Sequence, residues 1–294
     1  MRPTGTLRDV ISASLAISSL TGADRKRWES LQNALVEVGP VVVAFSGGAD
    51  SALLAWAAHQ VHGVEGCLVA TAVSPSLANG ELEDCRRLAS SWGLDWRALK
   101  TTELQDPRYV ANDSDRCYWC KTALFDVLEP LAKDRDATVA LGVNADDLGD
   151  HRPGQRAASE REGRFPLLEA GLSKADVRSL SRALGLETAD KPAAACLASR
   201  VPYGTAVTIG VLSEVEAAER SLRALGFEQL RVRYHRDVAR LEVPLEQLTE
   251  VLAQREDVVS AVLGAGFRYV ALDLEGFRSG SLNRVLTESE PNGI

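Results

Sequence analysis

The sequence predicts a doubly wound parallel α/β domain followed by a smaller C-terminal α+β domain. Three observations carry the prediction. Continuous apolar runs alternate with stretches of helical spacing through residues 41–142. Glycine-containing turns close two of those runs. An Ala- and Pro-rich loop at residues 188–204 separates this alternation from a second group of helices and strands.

Residues 1–21 show weak periodicity and are expected to form a disordered extension. Residues 24–38 place Trp28, Leu31, Leu35 and Val38 at helical spacing before Gly39, which predicts a helix leading into the sheet. Residues 41–45 are an uninterrupted apolar run suited to a strand covered on both faces. The run gives way at Ser46-Gly47-Gly48 to a helix over residues 51–60. The alternation continues with a strand at 66–73, a helix at 80–92, a strand near 95–99, a helix near 120–133 and a strand at 137–142. Ligands of such sheets bind beyond the carboxyl ends of the strands, where Ser46, Val73 and Gly142 fall. Ser173 is placed to cap a helix running to Leu184, with Gly185 as its stop. Beyond the loop, a helix at 209–225, strands at 230–234 and 238–243, helical stretches within 245–263 and a strand at 268–272 make up the smaller domain. The expected divisions are thus 1–21, 22–190, 191–287 and a mobile tail at 288–294.

The chain has 294 residues, 45% of them hydrophobic, enough for one large or two ordinary cores. The most apolar early stretch, residues 10–20, is interrupted by four serines. No run approaches the roughly 18 residues of a membrane helix, so neither a membrane span nor a secretory signal is expected. A net charge of −8 disfavours a nucleic-acid backbone as the main partner and favours small-molecule substrates. Five cysteines are an odd number for a disulfide framework, and the spacing Cys117-x-x-Cys120 suits metal, cluster or redox work inside cells. A cytoplasmic location is expected. Cys67, in an apolar strand, and Cys85, on a helix, read as packing residues.

Ser46-Gly47-Gly48-Ala49-Asp50-Ser51 lies between a strand and a helix. Two glycines let the backbone approach a phosphate closely, and Ser46, Ser51 and the free N–H groups of the helix start supply donors to a pyrophosphate anion. The segment resembles the SGGxDS signature of PP-loop ATP pyrophosphatases, which have the adenine nucleotide alpha hydrolase-like fold. No Walker lysine is present, so cleavage between the α- and β-phosphates is what the resemblance implies. Asp50 would orient the loop or help to hold Mg²⁺. Gly142-Val143-Asn144-Ala145-Asp146-Asp147 follows a second apolar strand and resembles the G-x-N-x-D-D segment that faces the nucleotide in several such enzymes. Asn144 and Asp147 therefore join the ATP-binding candidates, with the carboxylates suited to Mg²⁺. A tight turn and a helix-capping turn are the purely structural readings of these two segments.

Asp115-Arg116-Cys117-Tyr118-Trp119-Cys120-Lys121, the segment from Gly142 to Arg152 with Pro153-Gly154, and Lys191-Pro192-Ala193-Ala194-Ala195-Cys196-Leu197-Ala198-Ser199-Arg200 together resemble the LarE family of ATP-dependent sulfur transferases. Asp273-Leu274-Glu275-Gly276-Phe277-Arg278-Ser279-Gly280-Ser281 looks like that family's closing segment. The resemblance spans about residues 34–283. It implies adenylation of a carboxylate on a nicotinate-derived pyridinium mononucleotide, release of pyrophosphate, and replacement of the activated oxygen by sulfur on the route to the nickel-pincer cofactor. AMP is a good leaving group and thiolates are strong nucleophiles, which agrees.

In some members a single cysteine gives up its own sulfur; by alignment that position is Ala195, next to Cys196. Other members carry three cysteines and an iron–sulfur cluster whose fourth iron can bind a transferable sulfide, and Cys117, Cys120 and Cys196 match that pattern. The resemblance thus implies a four-iron four-sulfur cluster, with a sacrificial Cys196 as the alternative donor. Buried cysteines or a zinc site with His151 are the other readings of the pair. Lys121, Glu219, Arg231 and Arg233 are counted with Asp50 and Cys196 as catalytic candidates and Arg200 with the ligand-binding ones. Arg231 and Arg233 alternate along one strand, and guanidinium groups suit phosphate and carboxylate; a solvated strand face with ion pairs is the bland reading. A nucleotide substrate, a sulfide or other sulfur donor and a homo-oligomer are the expected partners. A PP-loop tRNA thiolase, an amidating synthetase of the NAD or GMP kind, and a nucleotide-binding regulatory module are the competing functions.

Overall fold

The computed structural model describes residues 7–149, 153–192 and 195–278, without the side chains of residues 7–12, 148 and 149. The chain divides into two compact units, one of Met1–Thr102 with Cys117–Ala194 and the other of Glu103–Arg116 with Ala195–Ile294. The second unit thus takes in an excursion from the middle of the first, which has no counterpart in the single division expected at residues 190/191.

In chain order the elements are α1 (Leu7–Ser19), α2 (Gly22–Val38), β1 (Val41–Ala44), α3 (Ala49–Gly66), β2 (Cys67–Val73), α4 (Asn79–Ser91), β3 (Asp95–Lys100), α5 (Pro107–Val110), α6 (Arg116–Asp134) and β4 (Thr138–Leu141). They continue with α7 (Pro153–Glu160), α8 (Pro166–Glu169), α9 (Lys174–Ala183), α10 (Ile209–Ala224), β5 (Arg231–His235), β6 (Val238–Glu242), α11 (Leu248–Ala253), α12 (Arg255–Gly264) and β7 (Tyr269–Leu272).

The first unit holds a four-stranded sheet in the order β3-β2-β1-β4, all parallel. Val41, Val42, Val43, Leu68 and Val69 are fully buried because layers of apolar side chains cover both faces. On one face Trp28, Leu31 and Leu35 of α2 and Leu53, Leu54 and Ala57 of α3 pack on the sheet, and on the other Phe125 and Leu128 of α6 do so. The chain runs outward from β1 through β2 to β3 and then returns to β4 on the opposite side of β1. The strand order therefore reverses between β1 and β4, where doubly wound sheets open a ligand crevice.

Two differences from the sequence reading have plain causes. Residues 7–19, expected to be disordered, form α1; Ala13, Ala16 and Ile17 pack against the core and Leu20 is buried, although the serines between them weaken the periodic signal. The cysteine-bearing helix begins at Arg116 rather than near residue 120, so Cys117 and Cys120 both lie in its opening turns. Ser173 caps α9 as predicted, in a full capping box with Asp176.

The second unit has a three-stranded sheet, β5-β6-β7, with β5 antiparallel and β7 parallel to β6. Its core joins Leu212, Val215 and Leu222 of α10 to Val232, Leu241 and Val262. Among the described residues no helix is long and apolar enough to cross a membrane. The tail 288–294 and His151 lie outside the described residues, and the closing segment is described only to Arg278.

Candidate active site

The turn after β1 is shaped by two glycines and two serines. Gly47 sits at φ +70, and a side chain there would meet Cys85 Sγ at 3.0 Å. Gly48 is the N-cap of α3 and offers no side-chain cap, so the first amides of that helix remain open to an anion. The Ser46 amide donates to Ser51 Oγ at 3.2 Å, Ser51 Oγ donates to the Gly48 carbonyl at 3.2 Å, and the two hydroxyls stand 3.1 Å apart.

Gly142, just past the end of β4, presses against this turn. A Cβ on Gly142 would lie 2.8 Å from the Ser51 amide nitrogen and 2.9 Å from the Asp50 carbonyl carbon. Asn144 then ties the two segments together: its Nδ2 donates to Asp50 Oδ1 at 3.2 Å, while its backbone N–H donates to Asp147 Oδ2 at 3.0 Å. Asp50 and Asp147, the carboxylates expected to serve Mg²⁺, are thereby fixed to one residue. Val73 ends β2 on the same sheet edge, half-buried.

The sequence reading missed two cations here. Lys174 Nζ donates to Asp50 Oδ2 at 2.5 Å, and the Lys174 amide donates to Asp146. Lys191 Nζ bonds Glu81 at 2.8 Å and Asp84 at 2.9 Å and lies 3.8 Å from the Cβ position of Gly47. Burial alone would lower the Lys191 ammonium, but its bonds to Glu81 and Asp84 raise it, so it stays charged. The loop has no Walker lysine in its own sequence, yet two lysines from about 125 and 140 residues downstream reach it. The only sequence signals were the position of Lys174 just after the helix cap and of Lys191 in the motif before Cys196.

Cys117 is exposed and Cys120 half-buried, one helical turn apart on α6, and neither is in a disulfide. Between them Tyr118 and Trp119 meet edge to face at 4.8 Å, and the Arg156 guanidinium lies over the Tyr118 ring at 4.9 Å. The half-buried Lys121 packs its stem on Gly154, where a Cβ would come within 3.0 Å of Lys121 Cγ. Cys67 and Cys85 contrast with this pair: burial pushes their thiols up to about 12 and about 11, which makes them inert packing groups.

In the second unit Cys196 is exposed at the start of a 3₁₀ turn, Leu197–Arg200. Arg231 and Arg233 are both buried, so the solvated strand face weighed from the sequence is not what β5 presents. Arg200 Nε donates to Glu219 at 2.8 Å, and Arg233 forms a two-pronged pair with Glu242 at 2.9 and 2.8 Å. Burial alone would raise the Glu219 carboxyl, but Arg200 and Arg223 hold it below the usual carboxylate range. Arg231 differs from its neighbours. Among the described residues it forms no ion pair; it donates to the Arg278 carbonyl at 3.2 Å and stacks over Phe277 at 4.5 Å. Burial, with the like charges of Arg233 and Arg200, lowers its guanidinium pKa. A buried arginine that, among the described residues, bonds only a carbonyl and stacks on a ring face is a ready receptor for an anion. Among the described residues no group of three or more His, Cys, Asp or Glu side chains is gathered to hold a metal ion.

A parallel sheet whose strand order reverses at a two-glycine turn, followed by a smaller mixed sheet, has the PP-loop-like α/β fold. No protein-family model matches the chain. It is 37% identical over 262 residues to the pyridinium-3,5-bisthiocarboxylic acid mononucleotide synthase of Lactiplantibacillus plantarum, covering 89% of this chain and 95% of that one. The chain belongs to the LarE family of sulfur transferases. Uncharacterized proteins of Synechocystis sp. and Methanocaldococcus jannaschii are also similar: the first is 45% identical over 89% of this chain and 98% of its own length. The second is 26% identical over 81% and 91%.

Proposed function

We propose that the protein activates a carboxylate of a pyridinium mononucleotide with ATP and converts it to a thiocarboxylate for the nickel-pincer cofactor. The observation that carries the reading is the phosphate turn at the β1/β4 reversal in a chain 37% identical to the synthase. The open amides of α3, Ser46 and Ser51 would hold the β- and γ-phosphates, with Lys174 and Lys191 neutralising the departing pyrophosphate. Asp50 and Asp147 would hold Mg²⁺. A carboxylate oxygen of the substrate attacks the α-phosphorus, the bond to the β-phosphate oxygen breaks, and pyrophosphate leaves. A sulfur nucleophile then adds to the acyl carbon of the adenylate and AMP departs.

For the sulfur, the thiol chemistry fits a cluster held by Cys117, Cys120 and Cys196. These three are exposed or half-buried, whereas the other two cysteines are buried and inert. When bound, such a cluster supplies an iron position open to a transferable sulfide. Arg231, a buried cation without an ion pair among the described residues, is suited to the substrate's phosphate or carboxylate. Incubation with MgATP and pyridinium-3,5-biscarboxylic acid mononucleotide should yield AMP and pyrophosphate only when the mononucleotide is present. Formation of ADP and phosphate, or stimulation by tRNA in place of the mononucleotide, would overturn the reading.

A further inference from the structure

The segment of the second unit that carries Cys196 has one 3₁₀ turn and then no regular element until Ile209. Such a segment ordinarily leaves its carbonyls to water. Here buried side chains take them. Arg200 Nη1 donates to the carbonyls of Ala195 at 2.6 Å and Cys196 at 3.2 Å. Arg233 Nη1 donates to the Ser199 carbonyl at 2.8 Å. From the excursion at residues 103–116, Arg116 Nη1 donates to the Ala198 carbonyl at 2.8 Å. Asn112 Nδ2 reaches the carbonyls of Val201, Pro202 and Thr205 at 3.3, 2.8 and 2.9 Å.

The donors are themselves fixed. Arg200 is paired with Glu219 and Arg233 with Glu242. Arg116 Nη1 also bonds Asn112 Oδ1 at 2.5 Å, so these two brace each other. Asn112 is fully buried at φ +60, a conformation asparagine tolerates, and its own carbonyl accepts the Gly204 amide. Loss of the Asn112 amide would take the side-chain donor from the buried Val201 carbonyl and loss of Arg233 that from the Ser199 carbonyl, and an interlinked buried network of this kind makes a loop rigid. This rigidity presents the exposed thiol of Cys196.

We propose that Asn112 and Arg116 are positioning residues that hold the Cys196 loop in the shape sulfur transfer requires, with Arg233 acting likewise through Ser199. The proposal rests on the reading of Cys196 as a sulfur-handling residue. It moves Arg233 and Glu219 from contact with substrate to support of the loop. The excursion at 103–116 then serves to carry the clamp to residues about 90 positions away.

Asn112→Gly tests it, since glycine keeps the positive φ and removes only the side chain. In the full-length protein, hydrogen exchange of the peptide over residues 195–207 should quicken by about tenfold or more. Sulfur transfer should slow roughly tenfold to a hundredfold, as for other small misplacements of a reacting group. Pyrophosphate release, which depends on the phosphate turn of the first unit, should stay near the parent rate. Arg116→Lys, which keeps a donor, should fall between the two and decides the matter if Asn112→Gly does not fold. Unchanged exchange would overturn the clamp. Faster exchange with parental sulfur transfer would overturn the positioning role. In that second case Cys196→Ala still abolishes transfer; if Cys196→Ala instead retains transfer, the underlying reading has failed along with the proposal built on it.

Discussion

Replacing Gly142 by alanine puts a methyl group where the end of β4 meets the phosphate turn. Its Cβ would lie 2.8 Å from the Ser51 amide nitrogen, 2.9 Å from the Asp50 carbonyl carbon and 3.0 Å from Ser51 Cα, all backbone atoms without a rotamer to yield. Ordinary contact begins at 3.4 Å, so the two segments must part by about half an ångström. Overpacking of this kind costs about 1–3 kcal/mol. In a unit of this size that lowers Tm by roughly 2–4 °C per kcal/mol. The displaced amide belongs to the phosphate turn, and a shift of that size should slow AMP formation about tenfold, since an ångström of misplacement costs about a hundredfold. Differential scanning fluorimetry and a coupled pyrophosphate assay at saturating ATP read the two effects. Parental Tm and parental rate in Gly142→Ala would refute the claim that β4 and the phosphate turn form one tightly packed site.

Glu219→Ala should destabilise the protein by about 3–5 kcal/mol, because it leaves the buried Arg200 without its counter-charge. Arg231→Met removes a buried cation that has no ion pair among the described residues, so chemical denaturation should find stability unchanged or raised while KM for the mononucleotide rises; a stability loss like that of Glu219→Ala would show Arg231 to be structural instead. With burial raising Cys85 to about 11 and Cys67 to about 12, a slow-reacting alkylating agent near pH 8 should modify Cys117, Cys120 and Cys196 in the folded metal-free protein. Peptide mass spectrometry should find Cys67 and Cys85 modified only after denaturation, and early labelling of either would contradict their burial.

The parallel sheet was legible because its strands are buried on both faces and read as unbroken apolar runs, as Val41, Val42 and Val43 show. The helix after Ser173 was legible because its capping box is a local pattern. Helix α1 was not, since Ala13, Ala16 and Ile17 pack among serines that blunt the apolar repeat. The two-glycine turn after β1 is contiguous in sequence, and so its place between strand and helix could be read directly. Lys174 and Lys191 reach it only through tertiary packing, which one-dimensional spacing does not encode. The alternation of Arg231 and Arg233 gave their strand register, but not that Glu242 pairs with Arg233 while Arg231 bonds the Arg278 carbonyl. Asn112 carried no signal, and Arg116 only its place in the segment before Cys117, because the carbonyls they hold lie more than 80 residues away.

In the proposed reaction ATP cleavage and sulfur incorporation occur on the same carboxylate. A single turnover under anaerobic conditions, with MgATP, a sulfide source and pyridinium-3,5-biscarboxylic acid mononucleotide, tests it when the mononucleotide is analysed by mass spectrometry. One AMP should form for each carboxylate oxygen replaced by sulfur. AMP formation that leaves the mononucleotide without sulfur, or sulfur incorporation without AMP, would contradict it.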